Sequence, residues 1–258
     1  MDNSRRKFLK LAGAAAAGLC FGSAGVTLAS EGSRRGPHVA ENPMALTAKR
    51  WAMVIDTRKL KTAEDIQPLV DACHSVHNVP DIPAKQDIKW IWSDSYEHGF
   101  PTTENNHLSE GVEHRAFALL CNHCEHPPCV RVCPTQATFQ RSDGIVMMDF
   151  HRCIGCRYCM AGCPFGARSF NFQDPRPFIK KENPDFPTRM RGVVEKCTFC
   201  SERLDNGEMP ACVEASNGAV LFGDLSDKDS EVRKALRENF TIRRKPSLGT
   251  EPGVYYII

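Results

Sequence analysis

Hydrophobic and polar positions alternate along this chain in short blocks, and the blocks predict short elements. Trp51-Ala52-Met53-Val54-Ile55-Asp56 reads as a strand. Ala63, Ile66, Leu69, Val70 and Cys73 then recur at helical spacing until Asn78-Val79-Pro80 closes the helix. Phe139 to Asp149 reads as a hairpin turning at Ser142-Asp143-Gly144, and Arg233 to Phe240 as a further helix. The closing Val254-Tyr255-Tyr256-Ile257-Ile258 admits two readings, a strand or an apolar contact tail. Residues 81–118 carry Trp90-Ile91-Trp92 but too little punctuation for an assignment. Past Ser30 no run approaches the roughly 18 apolar residues that a spanning helix needs, so the mature chain is expected to lack a transmembrane helix.

The N-terminus follows a different pattern. Ser4-Arg5-Arg6-Lys7-Phe8-Leu9-Lys10 precedes an uncharged Ala/Gly-rich run from Leu11 to Ser30, and Thr27-Leu28-Ala29 offers small residues for cleavage. This resembles a twin-arginine export signal over residues 1–29, which implies a periplasmic destination and export of already folded cargo. A membrane anchor fits less well, because Ala and Gly contribute little to insertion. Residues 30–48, with Gly32, Gly36, Pro37, Asn42 and Pro43, read as a linker, leaving 49–258 as the functional domain. Four of the 33 lysines and arginines but one of the 31 acids fall in the first ten residues, so 29 cations face 30 acids in the remainder. That balance predicts no nucleic-acid surface.

Cysteine changes the picture most. Of 13 cysteines, 11 lie between Cys121 and Cys212, too clustered for a disulfide framework in 258 residues. They form three blocks: Cys121, Cys124, Cys129, Cys133-Pro134; then Cys153, Cys156, Cys159, Cys163-Pro164; then Cys197, Cys200 and Cys212. The second block has the spacing of a bacterial ferredoxin. A tight loop with thiolates three residues apart reaches three irons of one cubane, and its amides can donate to the sulfurs. The fourth cysteine is expected to start a helix and face the neighbouring cluster. Two such runs therefore exchange last ligands: Cys121, Cys124 and Cys129 with Cys163, and Cys153, Cys156 and Cys159 with Cys133. The Cys-Pro-x-x-Ala echo at Cys133–Ala137 and Cys163–Ala167 supports a duplicated unit. The expected fold is α+β: tandem bacterial-ferredoxin-like modules with pseudo-twofold symmetry, small hairpins and loop-rich insertions.

Other metals fit the pattern poorly. Zinc uses CxxC pairs in a structural binding module but does not call for two complete ferredoxin-type runs. Covalent haem is excluded because Glu125, Arg157, Met160 and Ser201, not His, follow the CxxC pairs. A Rieske centre lacks its second half, since Cys121-Asn122-His123 has no matching partner. His123, His126 and His151 lie near the cysteine loops, either as modulators of potential or as solvated loop residues.

From Trp51 to Ile258 the chain resembles the exported electron-transfer subunits with tandem four-iron clusters that accompany molybdopterin reductases and quinone-linked membrane complexes. The matching segments are Trp51–Asp56, Asn78-Val79-Pro80, the two full cysteine runs, Lys196–Cys200, Pro210–Ala215 and Phe222–Leu225. The resemblance implies four clusters in most members, but here Ala63, Ile66, Leu69 and Ser216 stand where the ligands of one would fall. What remains implies a third site from Cys73, Cys197, Cys200 and Cys212, so that the twelve cysteines outside the signal fill three 4Fe-4S sites. Ile66, Leu69 and Val70 are then expected to pack into the vacated volume, because an empty cavity of that size would be strongly destabilising. The resemblance also implies partners: an NrfD-like integral membrane subunit that interacts with quinone, a periplasmic c-type cytochrome, and a membrane-anchored cytochrome b with a cytoplasmic iron–sulfur subunit. The role it implies is relay of single electrons, with no substrate-converting residue.

Overall fold

The computed structural model describes residues 42–83, 86–103 and 107–258, so the export signal expected over 1–29, and Cys20 within it, lie outside the described residues. In the described region, β1 (Trp51–Asp56) is followed by α1 (Ala63–Val76), then β2 (Ile91–Ser95), α2 (Tyr96–Gly99), α3 (Glu110–Glu113) and β3 (Ala116–Leu120). The cysteine-rich centre holds α4 (Pro128–Arg131), β4 (Thr138–Gln140), β5 (Val146–Met148), α5 (Tyr158–Ala161), β6 (Ser169–Phe170) and β7 (Val194–Glu195). The last part contains α6 (Ser201–Asp205), α7 (Ala211–Glu214), β8 (Val220–Asp224), α8 (Glu231–Glu238), β9 (Thr241–Ile242) and β10 (Val254–Ile257).

The six residues of β1 are buried on both sides because β1 is an inner strand. It pairs antiparallel with β8 and parallel with β10, giving the order β8-β1-β10-β9. Strand alternation sends Trp51, Met53 and Ile55 into the main core, and Ala52 and Val54 to the other face, against Val232 and Ala235 of α8. The C-terminal residues are thus a structural strand. Tyr256 is fully buried and its hydroxyl donates to the Ala118 carbonyl at 3.2 Å, so the alternative of an exposed contact tail is set aside.

α1 begins at a capping box: Thr62 Oγ1 accepts from Asp65 N–H at 3.3 Å and the Asp65 carboxylate from Thr62 N–H at 3.0 Å. Its spacing directs Ile66, Leu69 and Cys73 inward, with Val70 half-buried and Ala63 exposed. The segment without assignable punctuation supplies an antiparallel pair, β2 with β3, in register from Ile91↔Leu120 to Ser95↔Ala116. The expected hairpin is present as β4 and β5. Of the segment read as a linker, 42–48 is tied to the body: Leu46 N–H donates to Leu204 O at 2.9 Å and the Asn42 amide to Asp205 O at 2.9 Å. No helix among the described residues is long and apolar enough to cross a membrane.

Candidate metal centres

β3 runs directly into the first cysteine loop, and the C-terminal segment straps that loop down. Gly253 N–H donates to Asn122 O at 2.7 Å and Glu125 N–H to Glu251 O at 2.9 Å, while the Gln140 amide donates to Cys124 O at 3.0 Å. One-turn helices follow in each run, α4 carrying Cys129 and α5 carrying Cys159. Cys133 and Cys163 do not start helices, contrary to the expectation from sequence. Each lies one residue beyond the C-cap of the preceding turn (Val132, Gly162), because the proline after each cysteine disfavours helical backbone at the cysteine itself.

Cys121, Cys124, Cys129 and Cys163 line one small pocket, and Cys133, Cys153, Cys156 and Cys159 line a second. The remaining four, Cys73, Cys197, Cys200 and Cys212, are all buried. α1, which carries Cys73, packs on α7, which carries Cys212, and burial pushes the Cys73 thiol far up, with neighbouring Cys200, Cys197 and Cys212 pushing it further. Burial likewise raises Cys124 to about 12 and Cys212 to about 11. Such thiols stay protonated until a cation displaces the protons, which is how thiolate metal sites load. His77 braces the third group: Nδ1 engages Cys73 O at 2.8 Å and Nε2 engages Glu202 at 2.7 Å.

The first group neighbours both of the others. Cys197 is raised by burial and next by Cys121, which puts the third group beside the first. Cys159 is raised by burial, lowered by Arg168 and raised by Cys129, and Arg168 donates to Cys129, so the second group also neighbours the first. A buried cation stands at each junction. Lys196 donates to Cys197 O at 2.7 Å and to the Val146 carbonyl, and burial holds its pKa below the usual lysine range against the opposing pull of Cys121. Arg168 donates to Cys129 Sγ at 3.1 Å and to Thr138 Oγ1 at 2.9 Å.

Four thiols around a compact space match the donor set of a four-iron cubane. Buried polar atoms of Asn122, in the first cavity, and Thr198, between Cys197 and Cys200, lack protein hydrogen-bond partners and fit a polar occupant. His123 is not a solvated loop residue. It is buried, stacks on Phe199 at 3.6 Å and accepts from Val146 N–H at 3.0 Å, and burial pulls its pKa well down. His126 and His151 are exposed.

Residues 112–176 match the family model of the 4Fe-4S dicluster domain. The chain is 42% identical to Hdr-like menaquinol oxidoreductase iron-sulfur subunit 1 of Archaeoglobus fulgidus, over 98% of this chain and 97% of that protein. The chain belongs to the family of 4Fe-4S subunits of quinone-linked oxidoreductases. It is also 34% identical to a tetrathionate reductase subunit of Salmonella typhimurium, over 100% of this chain and 89% of that protein. The iron-sulfur cluster-binding subunit of menaquinone reductase from Nitratidesulfovibrio vulgaris is 34% identical over 81% and 88%.

The α+β, ferredoxin-like architecture of this iron–sulfur protein agrees with the sequence reading, and iron–sulfur chemistry displaces the zinc alternative. Sequence reasoning gave no role to Arg168 or Lys196. Their signals were positional only, Arg168 directly after Cys-Pro-x-x-Ala and Lys196 directly before Cys197. It also missed the Arg189–Glu195 ion pair at 2.7 Å, fully buried between the end of α1 and β7. Of the residues standing where a fourth set of ligands would fall, Ile66 and Leu69 are in the main core and Ala63 is exposed. Ser216 closes a turn, its hydroxyl donating to Val213 O at 2.6 Å and accepting from Val220 N–H at 3.0 Å.

Proposed function

We propose that the chain relays single electrons through three 4Fe-4S clusters, held by Cys121, Cys124, Cys129 and Cys163, by Cys133, Cys153, Cys156 and Cys159, and by Cys73, Cys197, Cys200 and Cys212. The observation that carries this reading is that twelve cysteines gather as three groups of four, the first neighbouring both others, with buried Arg168 against Cys129 and buried Lys196 against Cys197. When bound, the clusters supply one-electron redox chemistry. The chain spaces them, keeps water from the third group and sets local charge through Arg168 and Lys196. No residue is assigned to substrate conversion.

The assembly proposed around it is a respiratory complex linked to dissimilatory sulfur metabolism, in which this chain corresponds to DsrO of a DsrMKJOP-type complex. Its neighbours would be an NrfD-like membrane subunit, a periplasmic c-type cytochrome and the other subunits of such a complex, with delivery to the periplasm by the twin-arginine route. The names of relatives support the sulfur link, among them the tetrathionate reductase subunit of Salmonella typhimurium and a sulfite dehydrogenase subunit of Allochromatium vinosum.

Iron analysis of the holoprotein tests the count. Three clusters correspond to about twelve irons per chain, and Cys73→Ala should remove one spectroscopic cluster while sparing the two others. About sixteen irons, or a Cys73→Ala variant with its full cluster content, would refute the assignment. Replacing Arg5 and Arg6 with Lys tests the route, with cluster-bearing protein expected to accumulate in the cytoplasm. Undiminished periplasmic yield would exclude this signal.

A further inference from the structure

Access to the three cysteine groups is unequal. The third group is wholly buried, and in the first only Cys163 is even half-buried. In the second, Cys133 and Cys153 are half-buried and Cys156 is exposed. An electron partner can therefore approach most closely at the second group.

That site also carries an apolar surface. Ile154 is 66% exposed, Tyr158 62% and Phe172 45%. They are contiguous with the cluster loop. The Gly155 Cα faces Gly192 O so closely that an added Cβ would lie 2.5 Å from it, which brings exposed Met190 and Arg191 alongside. Val132, exposed on the first run, touches Gly162 beyond the α5 turn. Isolated exposed apolar residues are ordinary, but a set gathered around Cys156, the one exposed thiol among the described residues, is an interface pattern.

The rim is basic. Arg131, Arg157 and Arg191 are exposed and none has a carboxylate partner among the described residues. Arg157 instead lies over Phe170 and Phe172, at 5.4 and 5.6 Å from the ring centroids. The nearby acids are already matched, Asp149 by Arg152 at 3.2 Å and Asp174 by Arg176 at 2.6 Å. Complementarity to this face requires an apolar centre ringed by carboxylates.

We infer that the surface formed by Ile154, Tyr158 and Phe172, with Arg131, Arg157 and Arg191 at its rim, is the electron port of this protein, and that it docks a redox protein with an acidic rim and an apolar contact centre. This rests on the relay reading. Transfer across the port is one electron with no bond made or broken and no proton moved: one side is oxidised by one electron and the partner's one-electron centre is reduced by one, or the reverse.

Two measurements on the holoprotein test the port. In the native complex isolated through a tag on this chain, Ile154→Glu with Tyr158→Glu should lose the co-purifying redox partner while absorbance near 400 nm is kept. Phe240→Glu, which alters an exposed apolar residue beyond α8, should lose neither. A double variant that retains the partner overturns the port. Should that variant lose its absorbance, Arg131→Glu with Arg191→Glu decides by the same criterion. In stopped flow, dithionite-reduced wild type should be reoxidised by ferricyanide at a rate that falls about tenfold with added salt and in Arg131→Glu with Arg191→Glu. The cationic oxidant tris(phenanthroline)cobalt(III) should show the opposite trend. Equal responses to both oxidants overturn the basic rim. A wild-type protein that holds iron but cannot be cycled by one electron defeats the relay reading itself, a result distinct from either failure of the port.

Discussion

Arg168 Nη2 donates to Cys129 Sγ at 3.1 Å, so a buried guanidinium is fixed between two groups of cysteines that belong to different sites. Burial works against its charge, but Cys129 and Cys159 hold its pKa above the usual value. A fixed positive charge favours the reduced, more negative state of whatever those thiolates bind. A unit charge a few Å away, at an effective dielectric of about 20, contributes about 3 kcal/mol, which for a one-electron couple is of the order of 100 mV. Arg168→Gln should therefore lower the potentials of the two flanking centres by tens of millivolts or more, and Arg168→Lys should recover part of the drop. Redox titration followed by electron paramagnetic resonance reads both, and unchanged potentials in Arg168→Gln would show that the contact is only structural.

Gly155 adopts φ +70° and turns its backbone against Gly192 O, where a Cβ would lie at 2.5 Å. Both the conformation and the clearance require glycine. Gly155→Ala should disturb the loop between Cys153 and Cys156 and cost the protein roughly a third of its iron, with the signals of the other centres intact. Full iron content in that variant would mean that the loop can shift without consequence.

Glu195 is fully buried and accepts from Arg189 at 2.7 Å, Trp90 Nε1 at 2.9 Å and the Asn171 amide at 2.5 Å. Arg189 in turn donates to the backbone carbonyls of His77 and Asn78, so this network ties the end of α1 to the strand leading into Cys197. Removing one partner of a buried ion pair costs about 3–5 kcal/mol. Glu195→Leu is expected to lower the temperature at which visible absorbance is lost by roughly 6–15 °C. A shift below about 2 °C would mean that Arg189 finds other acceptors.

Deleting residues 255–258 should abolish the visible spectrum. β10 is an inner strand between β1 and β9, and Tyr256 reaches the Ala118 carbonyl two residues before β3 ends. Its removal takes away one of the two partners of β1 and the support of the strand that delivers Cys121. A truncated protein that keeps its spectrum and leaves the membrane would restore the view of this segment as a contact tail.

The iron–sulfur chemistry was legible in the spacing of the two ferredoxin-type runs, because a tight loop brings thiolates three residues apart toward one point in space. Periodicity likewise determined β1, α1, the β4–β5 hairpin and α8, where burial on one face or both leaves its mark on residue order. What required the tertiary structure were relations between distant segments. The pairing of β2 with β3 came from a stretch without punctuation, since the core packing of Trp90, Phe100 and Phe117 stabilises those strands more than local propensity does. The C-terminal strand is inner because β1 offers it a free parallel edge, which nothing within residues 254–258 announces. Arg168, Lys196 and the Arg189–Glu195 pair are single ordinary residues in the sequence. They matter because folding buries their charges beside thiols or each other, and low dielectric makes a charge decisive only once its neighbours are fixed.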